Sequence, residues 1–164
     1  MADLLTHVLL WLFVINLGIA FGAGLYESRI SVPQWLSFTA GTGHRWNAAA
    51  AAEANVGLRF WVYVTTVPLT LLTLLSLLRA WTMPEPLRGW WLSAAGAALL
   101  DRLLTFGYFI PTMIKLMRGE VHAEAAATAK ARQWVRLGYL RHVATLVAWL
   151  AALQAFALLY RYGA

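Results

Sequence analysis

The sequence predicts an all-α integral membrane fold, a four-helix transmembrane bundle with a long, partly helical first connection. Three observations carry this. Of the 164 residues, 61% are hydrophobic and 12% are charged, and the mean hydropathy of +0.63 is far from that of a soluble domain. Apolar runs of about 20 residues, enough to cross a hydrocarbon core, recur four times. The connections between them leave little room for a separate soluble domain, so residues 1–164 read as one transmembrane domain with spans at about 4–26, 58–79, 90–117 and 134–160.

What is missing also narrows the chemistry. The chain has no cysteine, which removes disulfides, thiolate catalysis and Cys-ligated metals. Its formal net charge is +6, but the basic residues flank apolar runs, where topology and lipid headgroups explain them better than nucleic acid does.

The elements follow in order. The run from Leu4 to Tyr26 lacks the basic start and small-residue cleavage site of a signal peptide and is read as a retained first span. Gly18, Gly22 and Gly24 near its end are small enough for close helix contact. Val32-Pro33 is expected to break the helix, opening a connection from Glu27 to Val56 that holds a Gly41-Thr42-Gly43 turn and, in the alanine run from Ala48, a helical second half. The second span carries Pro68 near its middle, whose missing N–H leaves the Val64 carbonyl in need of another donor. The rigid turn around Pro84 and Pro86 makes spans two and three antiparallel neighbours. Pro111 is expected to bend span three, and a short connection from Glu120 to Arg132 leads to the fourth span.

With four crossings, both termini share a side. Arg29, Arg45, Arg59, Lys115, Arg118, Lys130, Arg132 and Arg136 flank the two larger connections, against Arg79, Arg88 and Arg161 on the terminal side. The positive-inside rule places those connections in the cytoplasm of a bacterial inner-membrane protein. Trp35, Trp46, Trp61, Trp81, Trp90, Trp91 and Trp134 read as an interfacial aromatic belt.

Within the third span, Asp101, Thr105, Tyr108, Thr112 and Lys115 recur at helical spacing and fall within roughly ±40° of one direction. Ionisable groups at membrane depth cost about 2.5 to 3.5 kcal/mol each on insertion scales and usually face a bundle interior or wet cavity. The stripe therefore marks an intramembrane site. At ~1.5 Å rise per residue, Asn16, Pro68 and Asp101 share one level near the bilayer middle. Asp101 is expected there as a neutral carboxyl, bonded to Asn16 and to the carbonyl freed by Pro68, so that Asp101→Asn would fold almost normally. Arg141 and His142 lie ~10 to 12 Å deep from the loop side, beside Tyr108 and Thr112, with Gly22 and Gly24 leaving room. Direct pairing of Asp101 with Arg141 looks strained at those heights, and Arg102, ~100° around the helix, is expected to find a partner elsewhere. The loop-side layer of Tyr108, Thr112, Arg141 and His142, roofed by His44, Arg45 and Trp46, is the predicted ligand pocket. For Asn16, Thr105 and Gln154 the competing reading is ordinary interhelical hydrogen bonding.

No metal site is expected, because no His-x-x-x-His, Glu-x-x-His or carboxylate cluster is present. A bis-histidine haem is the less favoured alternative, with His7 and His142 the only histidines inside spans.

Several short motifs carry a resemblance. Phe21-Gly22-Ala23-Gly24-Leu25-Tyr26 followed by Pro33, Tyr108-Phe109-Ile110-Pro111-Thr112 before Leu116-Met117, and Trp134 seven residues before Arg141 resemble the anthrone-oxygenase-like family of small four-helix membrane proteins. Much of that family is described only as a domain of unknown function. The similarity runs over nearly the whole chain, with one departure: the family pattern often has Asn or His four residues after the tryptophan, where this chain has Gly138. The resemblance implies a cofactor-independent oxygenase that converts a methylene of an anthrone-like or other aromatic or quinol substrate to a carbonyl with O₂. On that basis His142 is the expected base, Arg141 the electrostatic partner of the enolate, and Tyr108 a hydrogen-bond donor, with Trp46 or Trp134 stacking on the ring. The rival class is a non-enzymatic quinone-, haem- or small-molecule-binding subunit or transporter-like module. In either case the expected partners are the lipid bilayer and a hydrophobic small molecule, and a homo-oligomer stays open.

Overall fold

The structure, a computed structural model, describes residues 4–39 and 43–162, with the backbone alone at 37–39, 43, 44 and 162. Four helices are long and apolar enough to cross a membrane: Leu4–Trp35, Gly57–Ala80, Leu87–Met117 and Glu124–Arg161. They pack in a ring in which each touches the next in sequence and the fourth closes on the first.

Three of these helices share one irregularity. The first runs as α1 (Leu4–Tyr26), a wide turn over Glu27–Ser31, then α2 (Val32–Trp35). The second opens with wide turns over Gly57–Thr66 and continues as α4 (Val67–Ala80). The third runs as α5 (Leu87–Leu104), a wide turn over Thr105–Phe109, then α6 (Ile110–Met117). In each case the residue after the wide turn donates its N–H five residues back, Val32 to Glu27, Val67 to Val62 and Ile110 to Thr105. The next residue is then proline: Pro33, Pro68 or Pro111. A proline ring clashes with the carbonyl four residues back, and inserting one extra residue into the turn moves that carbonyl aside without ending the helix. Val32-Pro33 is therefore not the helix end that the sequence suggested, and the first long helix continues nine residues past Tyr26.

The Val64 carbonyl behind Pro68 does receive its donor from another helix, Asn16 Nδ2 at 2.8 Å. Leaving a buried acceptor unmet would cost about 1 to 3 kcal/mol. This bond fastens the first long helix to the second at the level of the proline.

Between the first two long helices lies a hairpin that the all-α expectation did not contain. β1 (Leu36–Thr39) and β2 (Gly43–Trp46) pair antiparallel, Leu36 opposite Trp46 and Phe38 opposite His44. Of the anticipated turn, Gly41 and Thr42 lie outside the described residues. The helical second half is present as α3 (Ala48–Ala54), capped at its start by Asn47, whose Oδ1 accepts the Ala50 N–H at 3.0 Å, and closed by Asn55 in the left-handed region at φ 41°.

The last helix, α7 (Glu124–Tyr162), begins ten residues earlier than the sequence reading placed it. Residues 124–133 are mostly Ala, Lys, Arg, Gln and Glu, which favour helix regardless of membrane depth. The connection shrinks to a tight turn. Gly119 at φ 67° ends α6 while Glu120 N–H returns to the Lys115 carbonyl at 3.1 Å.

Two apolar clusters occupy the ring, and a small third one of Leu116, Ala127 and Ala131 joins α6 to the start of α7. The terminal-side one joins Leu10, Phe13 and Leu17 of α1 to Leu69, Trp91 and a seam of Ala94, Ala95, Ala98, Ala148 and Ala152 where α5 meets α7. Small residues there let two helices approach closely. Trp91 is fully buried in this seam, and Trp35 and Trp134 are buried as well, so the aromatic belt applies to Trp81 and Trp90 and not to these three. The loop-side cluster gathers Val32, Trp35, Ala51, Phe109 and Trp134. Between these two clusters the buried residues other than Gly24 and Gly138 are polar: Glu27 on the first long helix, Thr65 and Thr66 on the second, Asp101, Arg102 and Thr105 on the third, and His142 and Thr145 on the fourth.

Candidate functional site

That polar layer borders a cavity of about 430 Å³, within the range of small-molecule pockets. Ala20, Val62, Phe109, Ile110, Met113 and Trp134 supply apolar wall, while Glu27, Asp101, Arg102, Thr105, Arg141 and His142 supply a charged one. Apart from Ala52 of α3, the exposed wall residues, Gly57, Leu58, Ile114 and Arg118, lie at the loop-side ends of the second and third long helices. Those two helices pack closely through α4 and α5, the terminal-side halves. The cavity thus opens sideways, between their separated loop-side ends.

The charged wall is built around Asp101. Its Oδ2 receives Arg102 Nε at 3.1 Å and Arg102 Nη2 as well, and its Oδ1 stands 3.9 Å from Arg141 Nε. Asp101 and Arg102 are buried at 2% and 7% exposure. Three sequence expectations are corrected here. Arg102 does not seek another helix, because its long side chain folds back along α5 onto the adjacent carboxylate. Arg141 reaches the same carboxylate, since a side chain spans the difference in height. Asp101 is an ion-pair centre rather than a neutral partner of Asn16, whose amide is committed to Val64. Asn16 Oδ1, Asp101 Oδ1, Arg102 Nη1 and Thr105 Oγ1 have no hydrogen-bond partner, and the last three belong to residues on the cavity wall.

Arg141 also lies over the Phe109 ring, 4.4 Å from its centroid. Such stacking suits a delocalised guanidinium partly removed from water. His142 is buried, its Nε2 2.7 Å from Ser28 Oγ. A Cβ built on Gly24 would stand 2.9 Å from its Nδ1 and 2.6 Å from Cε1. Both ring nitrogens therefore face the first long helix. Gly24 makes the room anticipated for this layer; Gly22 has nothing within 4 Å of such a Cβ. Gly24→Ala is expected to displace the imidazole and lower stability by about 1 to 3 kcal/mol, read as a fall in the melting temperature of the purified protein, whereas Gly22→Ala leaves it unchanged. Adding His142→Ala should recover much of the loss, and no recovery would mean that the clash is not with the ring.

Glu27 went unnoticed in the sequence, where it seemed to start a loop. It is 8% exposed, lines the cavity and accepts a hydrogen bond from Trp61 Nε1 at 2.9 Å. Arg141 is near enough for its charge to act on both Glu27 and Asp101.

The remaining predicted residues divide. Thr105 and Trp134 are on the wall; Trp134 donates its Nε1–H to the Phe109 carbonyl at 3.1 Å and meets the Phe109 ring edge to face. Tyr108 and Thr112 are not. The wide turn over Thr105–Phe109 adds a residue, so the stripe that begins Asp101, Thr105 continues at Phe109, Met113 and Met117 instead of Tyr108, Thr112 and Lys115. Tyr108 packs into the loop-side apolar cluster and Thr112 is buried off the cavity wall. Arg45 forms an exposed ion pair with Glu124. Trp46 is a docking residue: its backbone N–H reaches Thr128 Oγ1 at 3.1 Å and its indole N–H the Leu116 carbonyl at 3.1 Å. The His44 side chain lies outside the described residues.

His7 stacks edge-on against Tyr160, while His142 sits against Gly24 and Ser28. These contacts are separated by ~26 Å along the first helix at ~1.5 Å per residue, so His7 and His142 do not form an axial pair for a haem. Among the described residues no three His, Asp or Glu side chains group as metal ligands.

Fold and site together define a helical protein of membrane-crossing length with a laterally open cavity and one charged wall. No protein-family model, curated protein or solved structure matches the chain.

Proposed function

We propose that this is an integral protein of a bacterial inner membrane that admits a flat, lipid-soluble aromatic ketone or phenol of the anthrone class from the bilayer, and oxygenates it without a bound cofactor. The observation that carries this reading is the pairing of an apolar, laterally open cavity with a single wall bearing two guanidinium groups. An apolar ring system fits the wall of Val62, Ile110, Met113 and Trp134. Its oxygen, turned to Arg102 and Arg141, is stabilised once it becomes an enolate, because fixed cations in a water-poor site act most strongly on charge that develops during reaction.

The chemistry balances without an added reductant. Loss of a methylene proton gives a carbanion in resonance with the enolate; the anion adds O₂ to form a carbon–oxygen bond, and the peroxide takes up a proton. Loss of water from the hydroperoxide leaves the carbonyl. One methylene and one O₂ yield one carbonyl and one water.

Anthrone itself, offered to the purified protein in lipid nanodiscs under air, tests the reading. Anthraquinone should form above the protein-free rate, with one O₂ consumed per product. Saturable binding without turnover would transfer the protein to the non-enzymatic small-molecule-binding class, and absence of binding would overturn the ligand assignment.

A further inference from the structure

We propose that Glu27 is the group that removes the substrate proton, an inference that rests on the oxygenase reading above. Among the titratable side chains on the cavity wall, the other two candidate bases are each held by a partner or packed against a helix. Asp101 has one oxygen filled by two nitrogens of Arg102 and the other facing Arg141. His142 spends Nε2 on Ser28, and its Nδ1 edge is packed so close to Gly24 that a Cβ there would stand 2.9 Å from it. Glu27 has one hydrogen bond, from Trp61 to Oε1. Its Oε2 has no partner and is not among the fully enclosed polar atoms.

The fold accounts for this placement. Leu10, Phe13, Leu17, Ala20 and Gly24 form the buried face of α1 at alternating spacings of three and four, and Glu27 is the next position in that series. The wide turn that absorbs Pro33 begins at Glu27, so the carboxylate keeps its inward direction before the helix shifts by one residue to bury Val32 and Trp35. Trp61, from the wide turns of the second long helix, fixes one oxygen and leaves the other at the cavity. Burial of a carboxylate without a direct ion pair is costly unless its basicity is used.

In the proposed step the methylene C–H bond breaks, its electron pair passes into the ring enolate held by Arg102 and Arg141, and the proton moves to Glu27 Oε2. After O₂ addition Glu27 returns that proton to the outer peroxide oxygen. When water is eliminated the last hydrogen on carbon is taken and hydroxide leaves, so the carboxylate is regenerated and water is released.

Proton removal can be read separately from oxygenation. Anthrone incubated anaerobically with the nanodisc protein in D₂O exchanges its methylene hydrogens when a base acts on it, while quenching of tryptophan fluorescence reports binding. The wild-type protein should accelerate exchange, and Glu27→Gln, which keeps the acceptor for Trp61, should lose about 100-fold or more of that acceleration with a Kd for anthrone changed less than about threefold. Glu27→Asp should retain part of it. Undiminished exchange in Glu27→Gln overturns the assignment, as does binding by the wild type with no exchange. If the wild type does not bind anthrone at all, the oxygenase reading fails and the role of Glu27 fails with it.

Discussion

Asp101→Asn will strongly destabilise the protein. Asparagine keeps the size and one oxygen of the side chain, but it removes the charge that Arg102 and Arg141 share. Arg102 then remains buried with no carboxylate in contact, and removing one member of a buried pair typically costs about 3 to 5 kcal/mol, because the surviving charge is left uncompensated. The melting temperature in detergent should fall by about 10 °C or more. Adding Arg102→Gln should regain at least half of that loss, since the double variant no longer buries an unpaired charge. Asparagine tolerated within about 1 kcal/mol would show that Asp101 is neutral in the native protein, the state first suggested by its depth in the sequence.

How much was legible follows from the wide turns. The four apolar runs were long enough to be read directly, and so were the stranded Val64 carbonyl and the shared level of Asn16 and Pro68, but the donor to that carbonyl is Asn16 and not Asp101, to which the sequence reading gave it. Asp101 and Thr105 were placed correctly on the inner face because Asp101 precedes the third wide turn and Thr105 is its first residue. Tyr108 and Thr112 were not, since a 3.6-residue period carried across an inserted residue is off by about 100°. The same effect hid Glu27. Pro33 looked like a terminator, so the residues before it were assigned to a loop, although the spacing from Leu10 to Gly24 already pointed to position 27. An X-Pro pair inside an apolar run therefore has two outcomes, a helix end or a widened turn, and the buried series on either side distinguishes them: the spacing from Glu27 to Val32 is five. The hairpin had only a weak signal, the alternation Leu36-Ser37-Phe38-Thr39 before a glycine-bearing turn. The Asp101–Arg102 pair had none, because adjacent residues on a helix point ~100° apart and only the length of arginine brings them together.

Arg141→Leu should lower turnover of anthrone by about 100- to 1000-fold, the usual effect of removing one donor from a preorganised oxyanion site. Arg141 is suited to this role by its position: it is 3.9 Å from Asp101 Oδ1, over Phe109, and within electrostatic reach of Glu27. Leucine fills the same apolar space against Phe109 but leaves Glu27 buried without the Arg141 charge that acts on it, so some stability will be lost too. The double variant Arg141→Leu, Glu27→Gln separates the two effects: its melting temperature should return toward that of the wild type while turnover stays absent, because neutralising the carboxylate cures the uncompensated charge and not the missing donor. Arg141→Lys should keep stability and only part of the rate, since an ammonium group offers the charge without the planar fork or the stacking surface. His122→Ala, at an exposed residue that does not line the cavity, should leave turnover unchanged. If Arg141→Leu turns over anthrone as the wild type does, in a protein that melts normally, the two arginines are not an oxyanion site, and the charged wall serves only to join the third and fourth long helices.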